Sequence, residues 1–123
     1  MKNLHRSKAL ESYAAARLML KEGLVYPSYV MLKEATRSML AYINEDANDK
    51  EYSEKTKMRT LLDDTPAQLL PNVDMSIFEL FVDMEKEGLS AILALPLEQL
   101  LVIKKALKKI MGLCLNADIW GII

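Results

Sequence analysis

The segment from Val25 to Ile43 repeats apolar residues every three to four positions, the spacing of a helix with one buried face. Leu32, Ala35 and Met39 carry this stripe. Pro27 suits the first turn, because its fixed φ is already helical and its missing N–H would have no partner there. A stripe of this length has to be covered by other elements. The pattern therefore predicts a central helix for a bundle.

The same spacing predicts further helices on both sides of this one. We expect them at about 8–22, 54–62, 75–87 and 97–115, with a short turn at 66–70. Residues 89–95 are compatible with either a short helix or a buried linker. The polar run 44–53 is expected to form a mobile loop outside the core.

Turn and cap residues agree with this division. Ser7 and Asp74 precede predicted helices as N-caps, and Gly23 ends the first one. The connection from Gly23 to the central helix is so short that the two helices must form an antiparallel hairpin. With 51% hydrophobic but only 7% aromatic residues, the composition also favours helices over sheets. We predict an all-α fold, a single domain over residues 1–123, arranged as an antiparallel up-and-down bundle of four to five helices.

Charge is unevenly distributed, although the net charge is only -1. Residues 1–43 carry seven basic and three acidic side chains, whereas residues 60–98 carry one and eight. A surface of this kind favours association with an acidic partner or with a second copy of the chain.

Compartment and membrane signals point to the cytoplasm. The most apolar stretch, Leu89 to Leu97, is far shorter than the roughly 20 residues of a membrane helix. The single cysteine, Cys114, has no partner for an internal disulfide. We interpret Cys114 as a buried small apolar side chain, and we expect no membrane association.

Residues for most catalytic sites are missing from the sequence. The only histidine, His5, is expected at a frayed N-terminus, so neither a metal site nor a histidine-activated nucleophile is predicted. Isolated glycines exclude a phosphate-binding loop. The Asp63–Asp64 and Asp83–Glu87 pairs fit a helix end and a solvated face. We therefore expect no cofactor and no metal.

Basic residues give the strongest binding signal. Lysines spaced four apart form two rows on one side of the last predicted helix, where they are candidates for contacting the phosphates of a nucleotide or RNA. The four are Lys104, Lys105, Lys108 and Lys109, and further candidates are Lys33 and Arg37. A third group comprises Lys55, Lys57 and Arg59. The pI of about 5.9 is low for a dedicated nucleic-acid binder, and a simply solvated lysine face is the alternative.

The order of these features resembles a known family. A helix ending Leu20-Lys21-Glu22-Gly23, the turn Tyr26-Pro27-Ser28-Tyr29 and the alanine-containing helix 30–43 resemble the opening hairpin of HEPN domains. Residues 57–62 and 97–113 resemble the short third helix and the long last helix of that family. The resemblance implies a bundle of four or five helices that dimerises, often in prokaryotes beside a small nucleotidyltransferase.

Several branches of the family are metal-independent ribonucleases that use an arginine followed, four to six residues later, by a histidine. Here the last arginine is Arg59, and no histidine follows His5. We therefore expect a non-catalytic, dimerising interaction module. A divergent ribonuclease or toxin-type enzyme and a purely structural partner of a nucleotidyltransferase are the alternatives.

The C-terminal segment is unusually apolar, with Ile119, Trp120 and Ile122 around a glycine. So much apolar surface is expected to pack on the bundle or on a second subunit. If a dimer forms, we expect its seam at the exposed side of the central helix together with this segment.

Overall fold

The computed structural model describes residues 2–70 and 72–114, and every regular element within these ranges is helical. The α-helices are α1 Lys2–Lys21, α2 Val25–Asn48, α3 Met58–Asp64, α4 Glu79–Glu87, α5 Leu89–Leu93 and α6 Leu97–Cys114. Two 3-10 turns, Ala67–Leu69 and Met75–Phe78, lie between α3 and α4. The predicted all-α class is confirmed for this part of the chain, and the helices pack as a bundle. The described residues form six α-helices rather than the predicted four to five, because the short helices α3 and α5 lie in the connections.

Gly23 ends α1 as predicted, with a φ of +71° that a residue with a Cβ rarely adopts. The N–H of Gly23 donates to the Leu20 carbonyl at 3.1 Å, and the N–H of Leu24 donates to the Met19 carbonyl at 3.0 Å. These two bonds satisfy carbonyls that the helix end would otherwise leave unpaired. The chain then reverses at once into α2, which packs along α1.

The central helix of the bundle is α2, because it contacts α1, α3, α5 and α6. Its predicted stripe is confirmed, since Leu32, Ala35 and Met39 are all fully buried. From Pro27 to Glu45 no residue of α2 is exposed. The side of α2 on which we expected a dimer seam therefore has little free surface.

The prediction of a mobile loop at residues 44–53 was wrong at both ends of that segment. α2 continues to Asn48, and Asn44 is completely buried within it. The Asn44 side-chain amide donates to the carbonyl of Leu61 at 2.9 Å. The Oδ1 atom of the same amide has no hydrogen-bond partner among the described residues, so the single bond to Leu61 accompanies its burial. Polarity alone therefore does not show that a residue lies in a loop.

Tyr52 anchors the other end of the same segment and is only 2% exposed. Its hydroxyl donates to Asp64 at 2.9 Å and accepts from the Asn48 amide at 3.2 Å. Its backbone N–H donates to the Glu45 carboxylate at 2.9 Å. Tyr52 thus anchors the segment 49–57 to the bundle, because its ring is buried while its hydroxyl and its backbone N–H are hydrogen-bonded.

The first helix begins earlier than the sequence indicated. α1 starts at Lys2 rather than Lys8, which places Ser7 inside the helix and not at its N-cap. The cause is His5, which is 4% exposed and packs against residues distant in sequence. Burial of that ring orders the first turn.

Short elements connect the hairpin to the last helix. α3 begins at Met58, later than the predicted position 54. The predicted helix 75–87 forms as a 3-10 turn that passes directly into α4. Residues 89–95, which the sequence left open, contain α5 and end in the buried Leu95.

Three aromatic rings help to join these elements. The Phe81 ring centroid lies 5.5 Å from that of Tyr29 and 6.5 Å from that of Phe78. Such contacts stabilise a core slightly beyond the burial of the rings themselves.

Two remaining predictions concern membrane association and the C-terminal segment. Across residues 2–70 and 72–114, every helix falls short of the length and apolar character needed to cross a membrane. Ile119, Trp120 and Ile122 lie outside the described residues.

Candidate functional site

The lysine rows lie on the outward side of α6. The helix buries Leu100, Ile103, Leu107, Ile110 and Met111. At about 100° per residue, the four lysines cover roughly 140° of the circumference opposite these residues. Three of them are exposed and Lys104 is half-buried. The four lysines therefore lie at the surface of the bundle.

The outward face of α6 also carries exposed apolar side chains. Leu101 is 43% exposed, whereas Ile103 and Ile110 are buried. Val102 and Leu113 are also exposed, at 54% and 59%. The outward face of α6 therefore combines positive charge with branched apolar side chains.

Few groups neutralise these lysines. Lys109 donates from Nζ to the backbone carbonyl of Asn72 at 2.7 Å, which tethers the segment before α4 to α6. Within the described chain, Lys104, Lys105 and Lys108 have no ion-pair partner. After Glu98, α6 has no acidic residue as far as its end at Cys114. Unpaired ammonium groups this close together create a local positive potential.

A groove of about 350 Å³ runs between α6 and the segment 72–77. Its apolar walls are formed by Val73 and Ile77 on one side and by Val102 and Ala106 on the other. Lys105 and Lys109, together with Asn72 and Asp74, complete the lining. The groove can thus receive an apolar side chain next to a carboxylate or another anion.

Asp74 fixes the wall of the groove that faces α6. Its Oδ1 accepts from the Ser76 N–H at 3.1 Å and from the Ser76 hydroxyl at 2.6 Å, which confirms the predicted N-cap. These hydrogen bonds hold the pKa of Asp74 below its ordinary value. The carboxylate is therefore used in organising the turn.

Lys33 and Arg37 do not join the α6 lysines. Lys33 forms an ion pair with Glu85 at 3.0 Å, and the Arg37 guanidinium donates to the carbonyl of Thr56. Both line a different depression, of about 330 Å³, with Tyr29 among its walls. The predicted candidates therefore form two separate groups, because α2 directs these two side chains toward α4 and the loop before α3.

The third basic cluster is neutralised at Arg59. Its guanidinium makes two bonds to the Glu79 carboxylate, at 2.6 and 2.8 Å, and a further contact with Asp63 at 3.1 Å. Glu79 has a lowered pKa because of the bonds from Arg59. The interpretation of Asp63 as a residue of a helix end is compatible with this arrangement.

The expectation that His5 lies at a frayed N-terminus was wrong, because His5 is buried. Its Nε2 lies 2.9 Å from the Glu45 carboxylate and 3.1 Å from the carbonyl of Tyr52. The partners are 40 and 47 residues away in the chain, so local sequence patterns carry no sign of them. The contacts bind three segments together and belong to the architecture of the bundle.

Two further observations concern metal ligands and the single cysteine. Among the described residues, no group of three or more His, Cys, Asp or Glu side chains could hold a metal ion. Cys114 is half-buried rather than fully buried, and desolvation raises the pKa of its thiol. It lines a depression of about 290 Å³ together with Tyr42 and Leu69.

The outward face of α6 and its groove thus form the candidate site. Comparisons with protein-family models, with curated protein sequences and with solved structures gave no match to this chain.

Proposed function

We propose that this chain is a non-catalytic helical-bundle module that associates with an anionic protein surface through the outward face of α6. The observation that carries the proposal is found on one helix face, where exposed Leu101 and Val102 accompany lysines that form no ion pair with the described residues. Covering exposed apolar side chains with a partner lowers the free energy of the complex, and the charges orient that partner.

The proposed module has a HEPN-like arrangement that forms a homodimer in the cytoplasm. What supports this arrangement is the order of a long α1–α2 hairpin, short connecting helices and a long α6. The ribonuclease motif of that family cannot be assembled from Arg59 and His5 in this sequence order. RNA cleavage is therefore not part of the proposal.

Binding of a nucleotide or RNA phosphate is the second candidate function. Lys104, Lys105 and Lys108 favour it, since they lack ion pairs within the described chain and could contact phosphates. Lys33 and Arg37 are weaker candidates, because each already has a protein partner.

The test compares two variants with equal loss of charge. In the first, Lys104, Lys105, Lys108 and Lys109 are replaced by Gln. In the matched control, the exposed lysines Lys21, Lys55, Lys57 and Lys86 are replaced by Gln. We expect light scattering to show a dimer for the wild type and the control, and a monomer for the α6 variant.

The same proteins are then titrated with single-stranded RNA and with ATP at several salt concentrations. Binding that is lost only in the α6 variant supports the second candidate. A wild-type chain that is monomeric and binds neither RNA nor ATP would contradict both candidate functions. A monomer that forms a hetero-complex with a nucleotidyltransferase would instead support the structural-partner alternative.

A further inference from the structure

The two helices that precede α6 carry exposed acidic and exposed apolar side chains. Asp83 and Glu87 are exposed on α4, one helical turn apart, and neither makes an ion pair with the described residues. On α5, Leu89 and Leu93 are 56% and 58% exposed and are also one turn apart. We call these four residues the acidic patch. Glu85 is not included, because it is paired with Lys33.

The acidic patch and the α6 groove match in their chemistry. Lys105 and Lys109 are one turn apart, as are the carboxylates of Asp83 and Glu87. The groove beside these lysines has apolar walls, including the 54% exposed Val102, and could cover leucine side chains. Each surface therefore offers two charges of one sign beside an apolar part, and the signs are opposite. The groove also holds Asp74, whose carboxylate accepts hydrogen bonds from Ser76.

We propose that two copies of the chain pair reciprocally, with the α6 groove of each copy against the acidic patch of the other. The inference rests on the proposed homodimer and names the two surfaces that meet in it. A two-fold arrangement uses both surfaces twice, so the pairing closes at a dimer. Apolar burial supplies affinity, while the charge pairs fix the register.

A second copy fits this face better than a nucleic acid does. RNA phosphates would use the lysines but would leave Leu101 and Val102 exposed to water. The net charge of -1 gives the chain no overall attraction for a polyanion. The acidic patch, in contrast, supplies carboxylates and leucines together.

The experiment uses complementary charge reversal in the full chain. One variant carries Lys105→Glu and Lys109→Glu, and the other carries Asp83→Lys and Glu87→Lys. Each should raise the dissociation constant of the dimer by about a hundredfold or more, because each brings like charges together at both contacts. An equimolar mixture of the two should form a heterodimer, since both of its contacts again pair opposite charges.

Controls separate this effect from damage to the fold. Lys109 also holds the Asn72 carbonyl, so a variant with Lys105→Glu and Lys108→Glu repeats the charge change without touching that bond. A matched variant with Lys55→Glu and Lys57→Glu should keep the wild-type mass. Circular dichroism confirms that each variant is folded.

The outcomes distinguish the two proposals. A dimer that persists in the Asp83→Lys, Glu87→Lys variant but is lost in the Lys105→Glu, Lys109→Glu variant would overturn this inference and leave the proposed function standing. A mixture that stays monomeric would also overturn it. If the wild type and all variants are monomeric, and only the Lys105→Glu, Lys109→Glu variant loses RNA binding, the partner is a polyanion and this inference is wrong.

Discussion

The imidazole Nε2 of His5 lies 2.9 Å from Oε2 of Glu45, and the two side chains are only 5% and 8% exposed. The same nitrogen lies 3.1 Å from the carbonyl of Tyr52. Because both neighbours are acceptors, we assign the proton to Nε2. One ring thereby joins the first turn of α1, the last turns of α2 and the segment that follows α2.

Replacing His5 by Ala should therefore destabilise the protein by about 1–3 kcal/mol, because Glu45 stays enclosed after losing a donor. Urea unfolding followed by circular dichroism measures the change. Asn3→Ala, at an exposed position of the same helix, is the control and should leave the midpoint unchanged. Equal midpoints for the two variants would show that the contact adds nothing to stability.

The register of α6 can be checked by truncating two leucines. Leu107 is completely buried, so Leu107→Ala should cost about 2–5 kcal/mol through lost burial and the cavity left behind. Leu101 is 43% exposed, and Leu101→Ala should cost less than about 1 kcal/mol. Denaturant unfolding of both variants gives the comparison. The reverse order of costs would mean that the helix is rotated from the described orientation.

Arg59 should control the titration of Glu79. The bonds from the guanidinium lower the pKa of this carboxyl, so Arg59→Gln should raise that pKa toward its ordinary value. Carboxyl chemical shifts in a pH titration report it directly. A lowered pKa stabilises the folded state above the ordinary pKa, and the benefit disappears as pH falls through the folded-state value. The stability difference between wild type and variant should thus shrink in acid, and a constant difference would contradict this.

Tyr29 should make the protein sensitive to alkali. Burial raises the pKa of its hydroxyl from 10.0 to about 12. The unfolded chain therefore loses this proton first, and stability should fall as pH rises from about 10 toward 12. Tyr29→Phe keeps the ring beside Phe81 and should reduce that fall. The check is unfolding at pH 9, 10 and 11, and parallel curves for the two proteins would disprove the assignment.

The apolar pattern was sufficient for the parts of the fold that depend on local spacing. The stripe through Leu32 and Met39, the stop at Gly23 and the N-cap at Asp74 were all predicted, because each is decided within a few residues. The position of the lysine face on α6 followed in the same way, because residues four apart lie on one side of a helix.

The errors arose where polar residues find partners far along the chain. His5, Asn44 and Tyr52 look like terminal or loop residues, yet each is buried with hydrogen bonds to residues distant in sequence. For the candidate site, the sequence offered Lys33 and Arg37 as additional phosphate-binding candidates beside the α6 lysines. Only the packing of α2 against other elements showed that these two side chains are already paired.

The central claim is that the outward face of α6 is a contact surface, and lysine acetylation followed by mass spectrometry tests it most directly. The acetylation rate of each lysine is measured at protein concentrations above and below the dissociation constant of the dimer. We predict that Lys105 and Lys108 react more slowly at the high concentration, while the exposed Lys55 and Lys57 keep the same rate at both. Equal rates for all four lysines at both concentrations would contradict the account.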